Sequence, residues 1–159
     1  MLHRNTAYGG SLSSPANRPR LIFPVLGALY SRTAESAETI LRVVAGLALV
    51  TNGFGKVQNP FGAAGMVEGL GFYPGALWSL LLSCTEFFGG ILLAIGLLTR
   101  PAALGGFIVL AVTVYFHWIV KGEGWSGSEK SILWAAIMLY FVIRGANSQS
   151  VDAKIGRQF

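Results

Sequence analysis

The sequence predicts an all-α membrane protein: a four-transmembrane-helix bundle with a short interfacial or re-entrant helix between spans 1 and 2. Three observations carry that prediction. Of 159 residues, 53% are hydrophobic and only 12% charged, whereas about a quarter of an ordinary soluble domain is charged. The apolar runs are continuous and lack the ten-residue alternation of an outer-membrane barrel. Polar or proline-bearing breaks separate them into segments near the length that a helix needs to cross a hydrocarbon core about 30 Å thick, at a rise of about 1.5 Å per residue.

Taken in order, residues 1–36 form an amino-terminal tail with an apolar surface segment, 37–146 the membrane domain and 147–159 a short polar tail. Met1 to Arg20 is rich in Ser, Gly, Asn and Pro, a composition that buries little apolar surface and predicts disorder. The apolar run from Leu21 to Tyr30 has the length of a signal-peptide core, but its leader is long and no clean small-x-small cleavage pattern follows. The expectation is an uncleaved segment lying on the membrane surface. The first span runs from about Thr39 to Lys56 and is broken by Asn59-Pro60. Phe61 to Phe72 is glycine-rich, carries Met66, Val67, Leu70 and Glu68, and is too short to span, so it predicts the short helix over the mouth of the bundle. Tyr73-Pro74 opens the second span, with proline in the first turn, where its missing amide proton costs nothing. Thr99-Arg100-Pro101 makes so tight a break that spans two and three must be antiparallel neighbours. The third span reaches about Val120, a polar loop runs from Lys121 to Ser128, and the fourth span runs from Glu129 to Arg144.

The formal net charge of +5 comes from basic residues scattered around the ends of apolar segments, which suits membrane orientation and not nucleic-acid binding. With both termini inside, the inner side receives Arg32, Arg42, Arg100, Arg144, Lys154 and Arg157 along with the tail arginines. The outer side receives only Lys56, Lys121 and Lys130. The single cysteine, Cys84, lies within a span, which excludes an internal disulfide or a cysteine-based metal cluster in this chain. No phosphate-cradling loop, Ser-His-Asp set or metal-ligand spacing is present, so hydrolase and nucleotide-driven functions are not expected.

Glu86 is the only ionisable side chain between Gly75 and Leu98, near the middle of a span. An ionised group at that depth costs roughly 2.5–3.5 kcal/mol on insertion scales, so it must be protonated, paired or turned to a polar cavity. Ser79, Ser83, Glu86 and Gly90 share the face expected to pack on other helices, while Leu77, Leu81, Phe88 and Leu92 are left for lipid. Two readings fit Glu86. It is a catalytic proton acceptor for a lipid-soluble carrier, countered by Lys56 or Arg42, or a protonated packing residue. In the four-span topology Asn52, Lys56, Gln58, His117, Lys121, Glu123 and Glu129 gather at one end, with Glu86 deeper. Asn52, Lys56, His117, Arg42 and Glu129 are therefore candidate ligand-binding residues. Each has a structural alternative: His117 belongs to an aromatic belt, and Glu129 completes a Ser126-x-x-Glu129 capping box. A bis-histidine haem site is excluded, since the other histidine is His3.

The stretches from Arg42 to Lys56 (RVVAGLALVTNGFGK) and from Cys84 to Pro101 (CTEFFGGILLAIGLLTRP), with His117, Glu129 and the tail from Ser148 to Asp152, resemble the DoxX family over roughly Glu38 to Gly156. The E-x-x-G-G-x-x-L-x-x-G-L-x-T-R run from Glu86 to Arg100 is the most specific part. The sequence departs at Asn52, where the family commonly has histidine, which keeps hydrogen bonding and loses titration. The resemblance implies a small four-helix protein of the bacterial cytoplasmic (inner) membrane, of bacterial or archaeal type, some of whose relatives are subunits of redox assemblies that are quinone-linked or related to sulfur, thiol or oxidative-stress chemistry. No cofactor motif is intrinsic to this chain, so an oxidoreductase role needs a bound quinone, a soluble redox partner or both. The rival expectation is a non-catalytic scaffold for such a partner. The glycine-bearing faces read as close helix packing and suit the scaffold equally well, an oligomer is left open, and a solute carrier is disfavoured because no inverted repeat of usable length is present.

Overall fold

The computed structural model describes residues 26–156, with side chains from Thr33 onward. Among these residues the protein is all-helical. The helices are α1 (Leu26–Gln58), α2 (Ala64–Gly69), α3 (Gly75–Ile95), α4 (Thr99–Val120), α5 (Gly124–Arg144) and α6 (Val151–Ile155). α1 packs on α3, α4 packs along α5, and a tight turn joins α3 to α4, whereas α1 and α5 make little contact. Ala45, Leu49, Leu93, Ala102, Ala103, Met138 and Phe141 form the buried core between them. Most other large apolar side chains, such as Ile40, Leu77, Phe88, Ile108 and Ile143, face outward, as lipid-facing surfaces do.

The spans differ in part from those expected. α1 begins at Leu26, not Thr39, so Leu26 to Tyr30 continues into the first span as helix, and the rest of the expected surface segment lies outside the described residues. Among the described residues three stretches are long and apolar enough to cross a membrane: Thr33–Gln58, Gly75–Ile95 and Thr99–Val120. The expected fourth span is not among them. α5 starts at Gly124, and its first two turns hold Ser126, Ser128, Glu129, Lys130 and Ser131. α5 nonetheless packs along α4 and returns the chain to the end that holds Arg100, whose Nε lies 3.0 Å from where a Cβ on Gly145 would stand, so it completes the bundle as its fourth helix.

The close approach of α1 to α3 depends on glycine. A Cβ at Gly46 would stand 2.5 Å from the Gly90 carbonyl oxygen, and one at Gly53 would stand 2.6 Å from the Phe87 nitrogen. α3 carries a π turn at Thr85–Gly89. Its wider turn adds a residue to the helical register, a rotation of about 100°. Leu77, Leu81 and Phe88 are exposed as expected, but beyond the π turn Leu92 packs against the core.

The ends are tied by side chains. Ser79 Oγ donates to the Pro60 carbonyl at 2.6 Å and accepts from the Ala63 amide at 3.2 Å, while Glu68 Oε1 accepts from the Gly75 amide at 2.9 Å. Those bonds hold α2 across the start of α3. At the opposite end α3 closes in the left-handed Gly96 (φ 74°), with the Leu97 amide donating to the Leu92 carbonyl at 2.9 Å. The Asp152 carboxylate accepts from the Leu98 and Thr99 amides at 2.9 and 3.1 Å and from Thr99 Oγ1 at 3.1 Å. A residue from the carboxy-terminal tail thus caps α4, which has no cap of its own.

Candidate functional site

Lys56 stands in the last turn of α1, one turn beyond Gly53, and Gly53 abuts Glu86 Cβ and Phe87 on α3. That backbone approach brings the two charged side chains together. Lys56 Nζ donates to both Glu86 carboxylate oxygens, at 2.6 and 2.5 Å. The Glu86 side chain is 7% exposed and that of Lys56 37%. The carboxylate is enclosed by its neighbours, and the ammonium is half-buried. Pairing at this depth offsets the cost of an isolated charge, and a bidentate charge-assisted contact fixes both groups.

The pair forms part of the wall of two cavities. The larger, of about 420 Å³, lies between α2, α3 and α4 and is lined by Val67, Leu70, Trp78, Leu81, Ile108, Val109 and Val112, with Lys56, Glu86, Thr85, Thr113 and His117 as its polar groups. The smaller, of about 250 Å³, lies between α1, α4 and α5 and is bordered by Ala45, Ala48, Leu49, Asn52, Leu110, Lys130, Ser131, Trp134 and Met138. Lys56, Glu86, Thr113 and His117 border both.

His117 sits in a second π turn, Phe116–Val120, at the end of α4. Its Nδ1 lies 2.5 Å from Glu123 Oε2, and the Glu123 amide donates to the His117 carbonyl at 3.0 Å. The loop therefore folds back over the end of α4. This hydrogen bond, with Lys121 adding 3.6 Å from the same carboxylate, holds the Glu123 carboxyl below its ordinary value against a smaller opposing effect of burial. Both π turns among the described residues carry a site residue, and single π turns inside α-helices recur at functional sites.

The remaining expected residues divide. Asn52 borders the smaller cavity, exposed, with its Nδ2 donating to the Ala48 carbonyl at 2.6 Å. Arg42 is not brought to Glu86. It lies about 21 Å back along α1 at 1.5 Å per residue, buried, with Nη1 donating to Asn147 Oδ1 at 3.1 Å and Nη2 to the Gln149 carbonyl at 3.2 Å. Glu86 is countered by Lys56 alone of the two cations expected for it. Glu129 is exposed and borders neither cavity. It also forms no capping box: α5 begins before Ser126, whose hydroxyl instead donates to the Glu123 carbonyl at 3.3 Å. Thr85, Thr113, Lys130 and Ser131 enter the site without having been singled out. Thr113 alone had a signal, lying one turn before His117 on the face of α4 that also carries Gly106 and Leu110.

The DoxX family model matches residues 37–118. The chain is 25% identical over 122 residues to the inner membrane protein YqjF of Escherichia coli strain K12, a match covering 76% of this chain and 92% of that one. It is 36% identical over 81 residues to an uncharacterized protein of Haemophilus influenzae, covering 47% of this chain and 60% of that one. No solved structure matches it. The matched region takes in Arg42, Asn52, Lys56, Glu86 and His117.

Proposed function

The chain belongs to the DoxX family of integral, multi-pass membrane proteins, and from that premise we propose that it is the membrane subunit of a redox assembly that takes a quinone, or a comparable lipophilic carrier, into the larger cavity. The observation that carries this reading is a carboxylate–ammonium pair, its carboxylate buried and its ammonium half-buried, at the edge of a cavity lined otherwise mainly by apolar side chains. A quinone ring needs such a lining, a donor for its carbonyl oxygens and an acceptor for the protons its reduced form releases. Lys56 is the donor, Glu86 the acceptor, and His117 a second group able to do either. The electrons pass to or from a soluble redox partner, since the chain has no cofactor motif.

Residence in a bacterial inner membrane with both termini in the cytoplasm is part of the same proposal. Its supports are the name of the Escherichia coli relative, an inner membrane protein, and the collection of Arg42, Arg100, Arg144 and Lys154 at one end, against Lys56, Lys121 and Lys130 at the other.

The test is purification in mild detergent with mass spectrometry of co-purifying proteins and extracted lipophilic molecules, run beside Glu86→Gln. The reading expects near-stoichiometric quinone in the parent protein and its loss in the folded variant. Partner-dependent quinone reduction that is unchanged in Glu86→Gln would overturn it. If the variant instead lowers the amount of assembled complex while turnover per complex holds, the chain is a scaffold and Glu86 a packing residue.

A further inference from the structure

The two cavities differ in character and in what surrounds them. The larger is walled by Leu81 and Ile108, whose side chains also face outward, at 46% and 54% exposure, on the flanks of α3 and α4. These flanks belong to stretches apolar enough to lie in lipid. The smaller cavity lies in the gap where α1 and α5 scarcely touch. It is lined by the exposed Asn52 and Lys130 with Ser131 and also by the buried Ala45 and Met138. Along α1, Ala45 to Lys56 is about 16 Å at 1.5 Å per residue. Lys130 and Ser131 belong to the polar first turns of α5. A lysine, an asparagine and a serine around one opening are costly in hydrocarbon and cheap in water.

We infer that the smaller cavity is a hydrated port, through which water and protons reach the Lys56–Glu86 pair from the aqueous phase, while the larger cavity admits molecules from the bilayer. One ion pair is then reached from two media by separate routes, and the pair with Thr113 and His117 forms the wall between them. A proton given up at Glu86 leaves by the port and never crosses the lipid-side cavity. The port builds on the reading of Glu86 as a proton acceptor, yet its test uses no quinone and no partner, so either can fail alone.

The test is thiol labelling of the full chain in lipid nanodiscs, in a Cys84→Ala background. Ala48→Cys and Ser131→Cys report on the smaller cavity and Val109→Cys on the larger. The probes are a permanently charged thiosulfonate and a lipophilic maleimide, with modification followed by mass spectrometry. The expected result is charged-reagent labelling at 48 and 131 at least tenfold faster than at 109, and the reverse preference at 109. Labelling at 131 with 48 protected from the charged reagent would mean that water stops at the rim, and would overturn the port. So would labelling of both positions by the lipophilic reagent alone, which would make the gap part of the lipid surface. If Ala48→Cys does not fold, Leu110→Cys on the opposite wall gives the same reading. Loss of quinone binding with the port intact would leave this inference standing and remove the carrier proposal.

Discussion

The two ends of the bundle each hold a basic residue of α1 against partners from another segment of the chain, and they use it differently. At one end Arg42 is 2% exposed and fixed by the carboxy-terminal segment, with Asn147 and Gln149 as acceptors. The same segment caps α4 through Asp152 and reaches α1 again where Asn147 Nδ2 donates to the Glu35 carbonyl and to Thr39 Oγ1, at 2.9 and 2.7 Å. No room remains for a Cβ on Gly96, which would lie 2.7 Å from the guanidinium carbon. At the other end Lys56 and Glu86 have each other as partners and border open space on two sides. A buried charge whose hydrogen bonds are spread over several chain segments holds a fold together. An ion pair beside a cavity remains available to a ligand.

Breaking the first end should have the largest effect. Arg42→Met removes a cation that Glu38 and Asp152 face and leaves the acceptors at Asn147 and Gln149 unmet. Removing one partner of a buried ionic network costs about 3–5 kcal/mol. The expected outcome is a large fall in thermal midpoint in detergent and loosening of the tail, read as faster proteolysis after Gly145. Glu86→Gln should cost less, roughly 1.5–3 kcal/mol for a hydrogen bond between charged groups, because Lys56 is more than a third exposed and is not left as a fully buried charge. Its effect on a bound lipophilic molecule should be near complete, whereas Arg42→Met protein that survives purification should keep its ligand. A variant pair that behaved alike in both measurements would erase the distinction between the ends. Asp152→Asn comes third. It keeps an acceptor for one amide of α4 but loses the charge, and about 0.5–2 kcal/mol is the range for such a cap. Thermal unfolding should fall modestly while ligand content stays unchanged.

These contrasts also show what could be seen in the sequence. The depth of Glu86 in an apolar run, the break at Asn59-Pro60 and the short helix before Tyr73 followed from length and polarity alone, and α2 stands there at the cavity. The choice between Lys56 and Arg42 did not. Both lie on the same face of α1, since they are fourteen residues apart and 3.6 residues make a turn, so periodicity cannot say which is level with Glu86. Depth decided it, through the tight turn at Gly96, which sets α3 antiparallel to its neighbour and brings the tail over Arg42. The inward turn of Leu92 was equally hidden, because a π turn shifts the register without leaving a residue-type pattern behind. Likewise α5 begins before its expected box, since Gly124 (φ 60°) is followed by turns whose serines are as compatible with a helix start as Ser126 itself.

The smallest effect belongs to the rim, where Glu123 meets His117 and Lys121 in the open. Its carboxyl is held below the ordinary value of 4.5, chiefly by the hydrogen bond from His117. The native state therefore binds this proton less readily than the unfolded chain does, and at falling pH the unfolded chain takes it up first. The resulting stabilisation is complete above the ordinary value and is lost as the pH falls through it toward the depressed native one. Glu123→Gln should accordingly be less stable than the parent near neutrality, with the gap closing in the acid range. Thermal midpoints measured in nanodiscs at a series of pH values check this. Because solvent and salt screen so exposed a contact, high ionic strength should shrink the difference further. The Lys56–Glu86 pair, shielded on its carboxylate side, should hardly respond to salt. A rim contact as insensitive to salt as the inner pair would mean that the loop from Lys121 to Glu123 is buried against something in the membrane, and the polar mouth of the bundle would then have to be redrawn.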